Sequence, residues 1–166
     1  MWKTSIEPEN IKRGQIDNCY FITAISSLAS LPNLLEDVFI TKEINDAGIY
    51  AMRFFLNGQP RIVVVDDYLP VRLDGVMAFA RSVYSNEFWI SLLEKAWAKL
   101  HGAYCMIENG RIDLVFSALT NRPTYLVKHL KNGFSSELLW QKLKTASRMK
   151  MLMASHTPHV KKNQYQ

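Results

Sequence analysis

Hydrophobic residues recur at helical spacing in residues 19–31. Phe21, Ile25 and Leu28 are four and three positions apart, so they share one face of a helix. At 100° per residue, Cys19 falls on the opposite face together with small polar residues. The pattern therefore predicts a helix that begins at Cys19 and turns the cysteine away from the apolar face.

A second helix is predicted over residues 87–101, where large apolar side chains return every three or four positions. We expect Ser85 or Asn86 to cap it, with the carboxylate of Glu87 in the first turn. Gly102 is expected to end it, because glycine readily adopts the left-handed conformation that follows many helices.

Two strands are predicted between these helices. Residues 49–55 and 61–67 are rich in β-branched and aromatic side chains. The dipeptide Asn57-Gly58 between them is typical of a tight hairpin turn. These segments predict one small antiparallel sheet.

The rest of the chain adds helical segments. Short helices are expected at residues 113–119 and 135–147. The alternation of Met149, Met151 and Met153 indicates one face of a strand. The expected fold class is α+β, mostly helical with a small antiparallel sheet.

Composition excludes several classes of protein. Of the 166 residues, 48% are hydrophobic and 21% are charged, which is typical of a globular chain and not of a disordered or disulfide-dense one. No uninterrupted apolar stretch reaches about 18 residues, so we expect no membrane span. The first ten residues contain acids and no apolar core, so we expect no secretory signal. Two cysteines without a pairing pattern indicate free thiols in a reducing compartment, so the expected location is the cytoplasm.

The charge is distributed unevenly along the chain. The net charge is +5, yet residues 1–120 hold 11 Lys/Arg against 14 Asp/Glu, whereas residues 121–166 hold 9 against 1. A basic end can indicate contact with nucleic acid. Here the basic residues are scattered among Leu, Met and Trp, as on solvated helix faces. We therefore expect no nucleic-acid partner, and nucleic-acid binding is a third hypothesis that rests on charge alone.

Cys19 is the first candidate for chemistry. At a helix N-terminus the unpaired amide hydrogens and the helix dipole favour the thiolate, which is the nucleophilic form of cysteine. The other cysteine, Cys105, follows the end of the second helix and is expected to be buried or half-buried.

The residues around Cys19 resemble the catalytic-cysteine segment of calpains. That segment has the pattern Gln-Gly-x-Leu-Gly-Asp-Cys, followed by an aromatic residue and a helix of small residues, and here it is Arg13-Gly14-Gln15-Ile16-Asp17-Asn18-Cys19-Tyr20-Phe21. Val-Asp-Asp-Tyr-Leu-Pro at residues 65–70 is similar to a further calpain motif. So is Leu-Leu-Glu-Lys-Ala-Trp-Ala-Lys at residues 92–99, and the motifs stand in the family's order. The resemblance covers roughly residues 9–158.

The resemblance implies the first lobe of a papain-like, calcium-dependent cysteine endopeptidase over residues 1–158, followed by a basic and polar tail at 159–166. In such enzymes the first lobe carries the cysteine, and the second carries the histidine and asparagine. Cys19 falls on the position of the nucleophile. The implied partners are protein substrates and a second lobe or calpain partner chain.

Several positions depart from the family pattern. Arg13 replaces the glutamine of the oxyanion hole, a donor whose loss costs roughly 3–4 kcal/mol of barrier. The first-lobe Ca²⁺ site of the family uses a glutamate, which Glu87 matches, and an aspartate, which is Asn10 here. Because Ca²⁺ prefers carboxylates, the site is expected to be weakened. Asp17-Asn18 replaces Gly-Asp, and the carboxylate of Asp17 is expected to oppose the thiolate.

The histidine motif of the second lobe is not found in the sequence. His101, His129, His156 and His159 are expected to be surface residues. An isolated first lobe lacks a general acid, so little activity is expected for this chain alone.

Two hypotheses from different classes follow. One is the nucleophile-bearing half of a calpain-type endopeptidase, and the other is a non-catalytic calpain-like binding or regulatory module. In either, the face that would meet a second lobe is expected to leave an apolar patch near Cys19 and Trp89.

Overall fold

The structure is a computed structural model, and it describes residues 6–128 and 135–156. The chain divides into two units, Met1–Phe134 and Ser135–Gln166. Among the described residues, the first unit holds four α-helices and two small antiparallel sheets, and the second holds one helix. The predicted α+β class is confirmed. No helix in the described ranges combines the length and apolarity needed to cross a membrane.

The helices of the first unit supply most of its core. They are α1 (Cys19–Ala29), α2 (Pro32–Glu36), α3 (Trp89–His101) and α4 (Ile112–Thr120). Helix α1 begins at Cys19 as predicted, and its apolar face, formed by Phe21, Ile25 and Leu28, is fully buried. Single 3₁₀ turns occupy Pro8–Asn10 and Tyr104–Ile107.

The strands form two separate ladders. β2 (Ile49–Leu56) and β3 (Gln59–Asp66) make the predicted hairpin, with Leu56 opposite Gln59 at the turn. Both turn residues, Asn57 and Gly58, have positive φ (52° and 77°), as two-residue hairpin turns require. The second ladder pairs β1 (Ile11–Lys12) with β4 (Arg81–Ser82), and thereby joins the segment before Cys19 to the segment before α3.

Trp97 is the packing centre of the first unit. Its ring lies 5.4 Å from the ring of Phe21 on α1 and 5.8 Å from that of Phe54 on β2, measured between centroids. Its indole N–H donates to the hydroxyl of Tyr20 over 3.1 Å. One side chain of α3 therefore contacts both α1 and the hairpin. Truncation of such a buried aromatic residue costs about 3–5 kcal/mol.

Helix α3 begins later than the sequence predicts. Phe88 is its N-cap, no side chain caps it, and its first turn contains no acid. Glu87 instead accepts a 2.7 Å hydrogen bond from the hydroxyl of Ser82, which directs the carboxylate toward β4. The prediction of a cap at Ser85 or Asn86 is therefore wrong. The predicted end is confirmed, since Gly102 follows the helix with φ of 107°.

The second unit contains α5 (Ser136–Arg148), close to the predicted helix. The hydroxyl of Ser135 caps it by accepting from the amide of Leu138 over 3.3 Å. The predicted methionine strand is wrong, because residues 151–156 form no regular element. The chain there ends the helix: Lys150 has φ of 52°, and the amide of Met151 donates back to the carbonyl of Ala146 over 2.9 Å.

The predicted boundary between the lobe and its tail, at residues 158 and 159, lies outside the described residues. It therefore stays a prediction.

Gly14 generates the first testable prediction. The amide of Gln15 donates to the carbonyl of Ala78 over 3.0 Å, and a Cβ on Gly14 would overlap the backbone of Phe79. The substitution Gly14→Ala must push these two segments apart. We expect it to lower the free energy of unfolding by about 1–3 kcal/mol, measured by chemical denaturation.

The matched control is Gly58→Asn. Position 58 has open space around it, and asparagine enters the left-handed region more readily than most residues, so the remaining backbone strain should cost about 1 kcal/mol or less, below the loss at Gly14. Equal losses in the two variants would show that the close approach at Gly14 has no structural weight.

Candidate active site

Cys19 is the first residue of α1, and its side chain is exposed. The two residues that follow it, Tyr20 and Phe21, are buried. The carbonyl of Asn18 accepts from the amides of Phe21 (2.9 Å) and Ile22 (3.2 Å), which starts the helix directly behind the sulfur. The thiol therefore lies at a helix N-terminus and is open to solvent, an arrangement that favours a nucleophile.

The loop that precedes Cys19 is held from two sides. On one side it bonds to Ala78, as described above. On the other, the amide of Asn109 donates to the carbonyl of Asp17 over 2.9 Å. Gly110 lies so close to the ring of Tyr20 that a Cβ there would overlap it. Together these contacts fix the backbone on both sides of the cysteine.

A buried carboxylate lies behind this loop. Glu94 of α3 and Asn18 both have exposed fractions of 0%. The amide nitrogen Nδ2 of Asn18 donates to Oε1 of Glu94 over 2.6 Å, and the backbone amide of Ala80 donates to Oε2 over 2.7 Å. Burial raises the pKa of Glu94 above its ordinary value, and the two hydrogen bonds oppose that shift.

Sequence reasoning missed Glu94 as a site residue. One signal was available: Ile90 and Ala98, four positions before and after it, are both apolar, so a charged side chain interrupts a row that is otherwise suited to burial. Its partner Asn18 is 76 positions away in sequence, and no local pattern identifies such a pair.

Arg13 and Asp17 form an ion pair within the loop that precedes the candidate nucleophile. Nη1 of Arg13 is 3.5 Å from Oδ1 of Asp17, and both side chains are about half exposed. An exposed ion pair of this kind contributes about 0–1 kcal/mol to stability. The pair sets a positive charge against the carboxylate that stands two residues before Cys19.

Asn10 and Glu87 each form a hydrogen bond with the segment that contains Ser82 and Val83. Both are buried, with exposed fractions of 7% and 4%. The backbone carbonyl of Asn10 accepts from the amide of Val83 over 2.8 Å, while the hydroxyl of Ser82 donates to Glu87. The fold therefore brings the two candidate calcium ligands to adjacent residues of the chain.

The donor set of these residues fits Ca²⁺ only in part. Ca²⁺ takes six to eight oxygen ligands and favours carboxylates. Glu87 offers one carboxylate, one oxygen of which already accepts from Ser82, and Asn10 offers a neutral amide. Within the described ranges, no three His, Cys, Asp or Glu side chains gather where they could hold a metal ion. A site built on this pair would therefore be weak.

Cys105 is exposed, so the prediction of a buried or half-buried thiol is wrong. It lies on the 3₁₀ turn Tyr104–Ile107, in which other side chains take the inward positions. Tyr104 stacks on Phe79 with ring centroids 4.0 Å apart, and Ile107 is buried. Both cysteines of the chain are therefore exposed to reagents, although only Cys19 begins an α-helix.

Two further predictions about the surface can be compared with the structure. Trp89, the first residue of α3, has an exposed fraction of 1%, so Trp89 does not itself contribute to the apolar patch predicted near it and Cys19, and the patch stays a prediction. His101 and His156 are exposed as predicted, and Nδ1 of His101 lies 2.9 Å from the carbonyl of Trp97. His129 and His159 lie outside the described residues.

Comparison with known proteins gives a consistent result. A family model described as calpain family cysteine protease matches residues 1–166. The calpain-type cysteine protease DEK1 of Zea mays is 40% identical over 120 residues, which are 72% of this chain and 6% of that protein.

Animal relatives agree. Calpain-12 of Homo sapiens is 40% identical over 114 residues, 67% of this chain and 16% of that protein. Calpain-5 of Caenorhabditis elegans is 40% identical over 113 residues, 64% of this chain and 17% of that protein. The chain thus spans less than a fifth of the length of each of these relatives.

The buried carboxylate generates a prediction about pH. Because burial raises the pKa of Glu94, the folded protein holds this proton more tightly than the unfolded chain does. The carboxyl group's contribution to stability is therefore fully present in acid and is lost as the pH rises through the folded-state pKa. Glu94→Gln, which cannot ionise, should raise the free energy of unfolding at pH 7. The gain should shrink as the pH falls to about 4, which urea denaturation across pH would measure.

Glu43→Gln is the control for this prediction, because Glu43 is exposed and its replacement should change stability little at any pH. A Glu94→Gln variant that is less stable than the wild type at pH 7, with a deficit that closes in acid, would reverse the predicted sign.

Proposed function

Because the chain belongs to the calpain family of cysteine proteases, we propose that it is the nucleophile-bearing half of a calcium-dependent cysteine endopeptidase. The observation that carries the proposal is the exposed thiol of Cys19 at the first residue of α1, on a backbone held from both sides. The lobe is of the α+β, papain-like type.

In this proposal the thiolate of Cys19 attacks the carbonyl carbon of a peptide bond. Arg13 stands at the oxyanion position, where a donor would stabilise the negative oxygen that forms. An imidazolium must then protonate the leaving amine, and water must hydrolyse the acyl-enzyme. Cys19 supplies the attack, and we propose that a second lobe, in a partner chain or in further sequence, supplies the imidazole.

We also propose a weak Ca²⁺ site at Glu87 and Asn10. Bound Ca²⁺ would supply a positive charge that attracts the oxygens of both residues. It would thereby hold the segment before β1, which carries Asn10, next to the segment after β4, which carries Glu87. The substrates in this proposal are proteins, and the location is the cytoplasm.

A second function stays in view because one observation favours it. Arg13 and Asp17 form an ion pair where the family has Gln and Gly, so the geometry of an oxyanion donor is altered. This favours a calpain-like module that binds or regulates other proteins without cleaving them.

Thiol alkylation distinguishes the two functions. With iodoacetamide at neutral pH, Cys19 should react several-fold faster than Cys105, because both are exposed and only Cys19 begins an α-helix. Added Ca²⁺ should raise the rate at Cys19 and leave Cys105 unchanged, relative to a chelator.

The single-thiol variants Cys105→Ser and Cys19→Ser give the two rates separately, and mass spectrometry of the alkylated peptides assigns them in the wild type. Slow labelling that is equal at both thiols and independent of Ca²⁺ would support the binding module instead.

The Arg13–Asp17 pair generates a further prediction. Arg13→Gln removes the guanidinium that offsets Asp17, so alkylation of Cys19 should slow. Combining it with Asp17→Asn, which keeps the side-chain size and removes its charge, should restore the rate. The expected coupling of about 0.2–1 kcal/mol corresponds to a factor of about 1.5–5 in rate. Strictly additive effects in this double-mutant cycle would mean that the two charges act independently.

A further inference from the structure

A single buried carboxylate joins three parts of the candidate site. Glu94 on α3 accepts from the backbone of Ala80, which precedes β4, and from the side chain of Asn18, which precedes Cys19. Both bonds are short, at 2.7 and 2.6 Å, and neither Glu94 nor Asn18 is exposed. Asn18, which directly precedes the nucleophile in the chain, is therefore held by a short, buried hydrogen bond.

Asn18 makes this contact in place of the usual one. Asparagine at an N-cap normally turns its oxygen back to accept from an amide of the first helical turn. Here no such bond forms, and in the described part of the chain Oδ1 of Asn18 is buried without a hydrogen-bond partner. The side chain is directed to Glu94 although a local cap would satisfy that oxygen.

We infer that Glu94 is a positioning residue for Cys19, acting through Asn18. The inference rests on the proposed role of Cys19 as nucleophile. The carbonyl of Asn18 accepts from the amides of Phe21 and Ile22, so the orientation of Asn18 sets the first turn of α1 and the direction of the thiol. A capping asparagine takes β-region dihedrals, whereas Asn18 has φ of −113° and ψ of 37°. Without Glu94, Asn18 is free to cap the helix, and the change in ψ that this requires turns the peptide that joins it to Cys19.

The burial of an ionisable group supports this role. Burial raises the pKa of Glu94, which shows that the surroundings disfavour its charged form. Glutamine or leucine would meet the needs of packing in α3, yet a carboxylate gives two acceptor oxygens to two donors that approach from different segments.

The test compares variants of Glu94 and Asn18 with a stability control by the rate of alkylation of Cys19 relative to Cys105. Glu94→Leu removes both acceptors and should lower this ratio about two- to fivefold, the size of the effect of a helix N-terminus on a nearby anion. Its pH profile of Cys19 alkylation should also change. Glu94→Gln should keep a ratio close to the wild type, because Asn18 can reverse its amide and accept from the glutamine while Ala80 still donates.

Trp97→Phe is the matched control for stability. Because that change also breaks the hydrogen bond to Tyr20, which is next to Cys19, Phe54→Leu is used with it. Phe54→Leu shortens a buried side chain that packs on Trp97 of the same helix, and it leaves the contacts of Asn18 and Tyr20 in place. The ratio in Phe54→Leu should equal the wild-type ratio. A merely structural role of Glu94 would make Phe54→Leu and Glu94→Leu behave alike at equal loss of stability.

Asn18→Ala keeps the inference testable if Glu94→Leu does not fold. It removes the other end of the contact, and it should lower the ratio as much as Glu94→Leu does. An unchanged ratio in Asn18→Ala, or an equal decrease in Glu94→Gln and Glu94→Leu, would overturn the inference. The proposed function is read separately, from the wild-type rates of Cys19 and Cys105, so its failure can be told apart from a failure of the positioning role.

Discussion

The contact between Asn18 and Glu94 is the constraint on which the geometry of the candidate site depends. A carboxylate away from water is costly unless donors surround it, and here a side-chain amide and a backbone amide do so. Those donors come from the start of α1 and from the segment before β4, so satisfying the charge also fixes both segments against α3. About one turn further along the same helix, Trp97 joins α3 to α1 and to the hairpin through apolar contacts.

Three departures from the calpain pattern can each be explained by the side chain that the new residue contacts. Arg13 and Asp17, which replace Gln and Gly, lie against each other with opposite charge. Asn18 replaces an aspartate, and its amide is a donor where a second carboxylate would face Glu94 over 2.6 Å. Two carboxylates at that distance cannot both ionise. The asparagine therefore lets Glu94 accept a hydrogen bond without sharing a proton with its neighbour.

What the sequence could predict follows from the range of each interaction. The apolar face of α1, the Asn57-Gly58 turn and the end of α3 at Gly102 depend on spacing within a few residues, and the structure confirms them. The late start of α3 depends on Ser82, and the exposure of Cys105 depends on which neighbours turn inward. The alternation of methionines predicted a strand, but the turn at Lys150 that ends α5 takes its place. The side-chain partner of Glu94 lies 76 positions away in the sequence, and no periodicity identifies it.

The positions of the contacts around Cys19 indicate which steps each lobe of the proposed enzyme would support. The contacts described above that fix the backbone around Cys19 come from the first unit: Ala78, Asn109, Gly110 and, through Asn18, Glu94. In the proposed enzyme, this half thus supplies contacts that orient the thiol, whereas the proton for the leaving amine has to come from a second lobe. In such an arrangement, assembly with a second lobe changes the fate of the bound substrate more than the readiness of the sulfur. On the inference drawn for Glu94, the direction of the thiol is then set within this half, by a carboxyl group that lies behind the nucleophile.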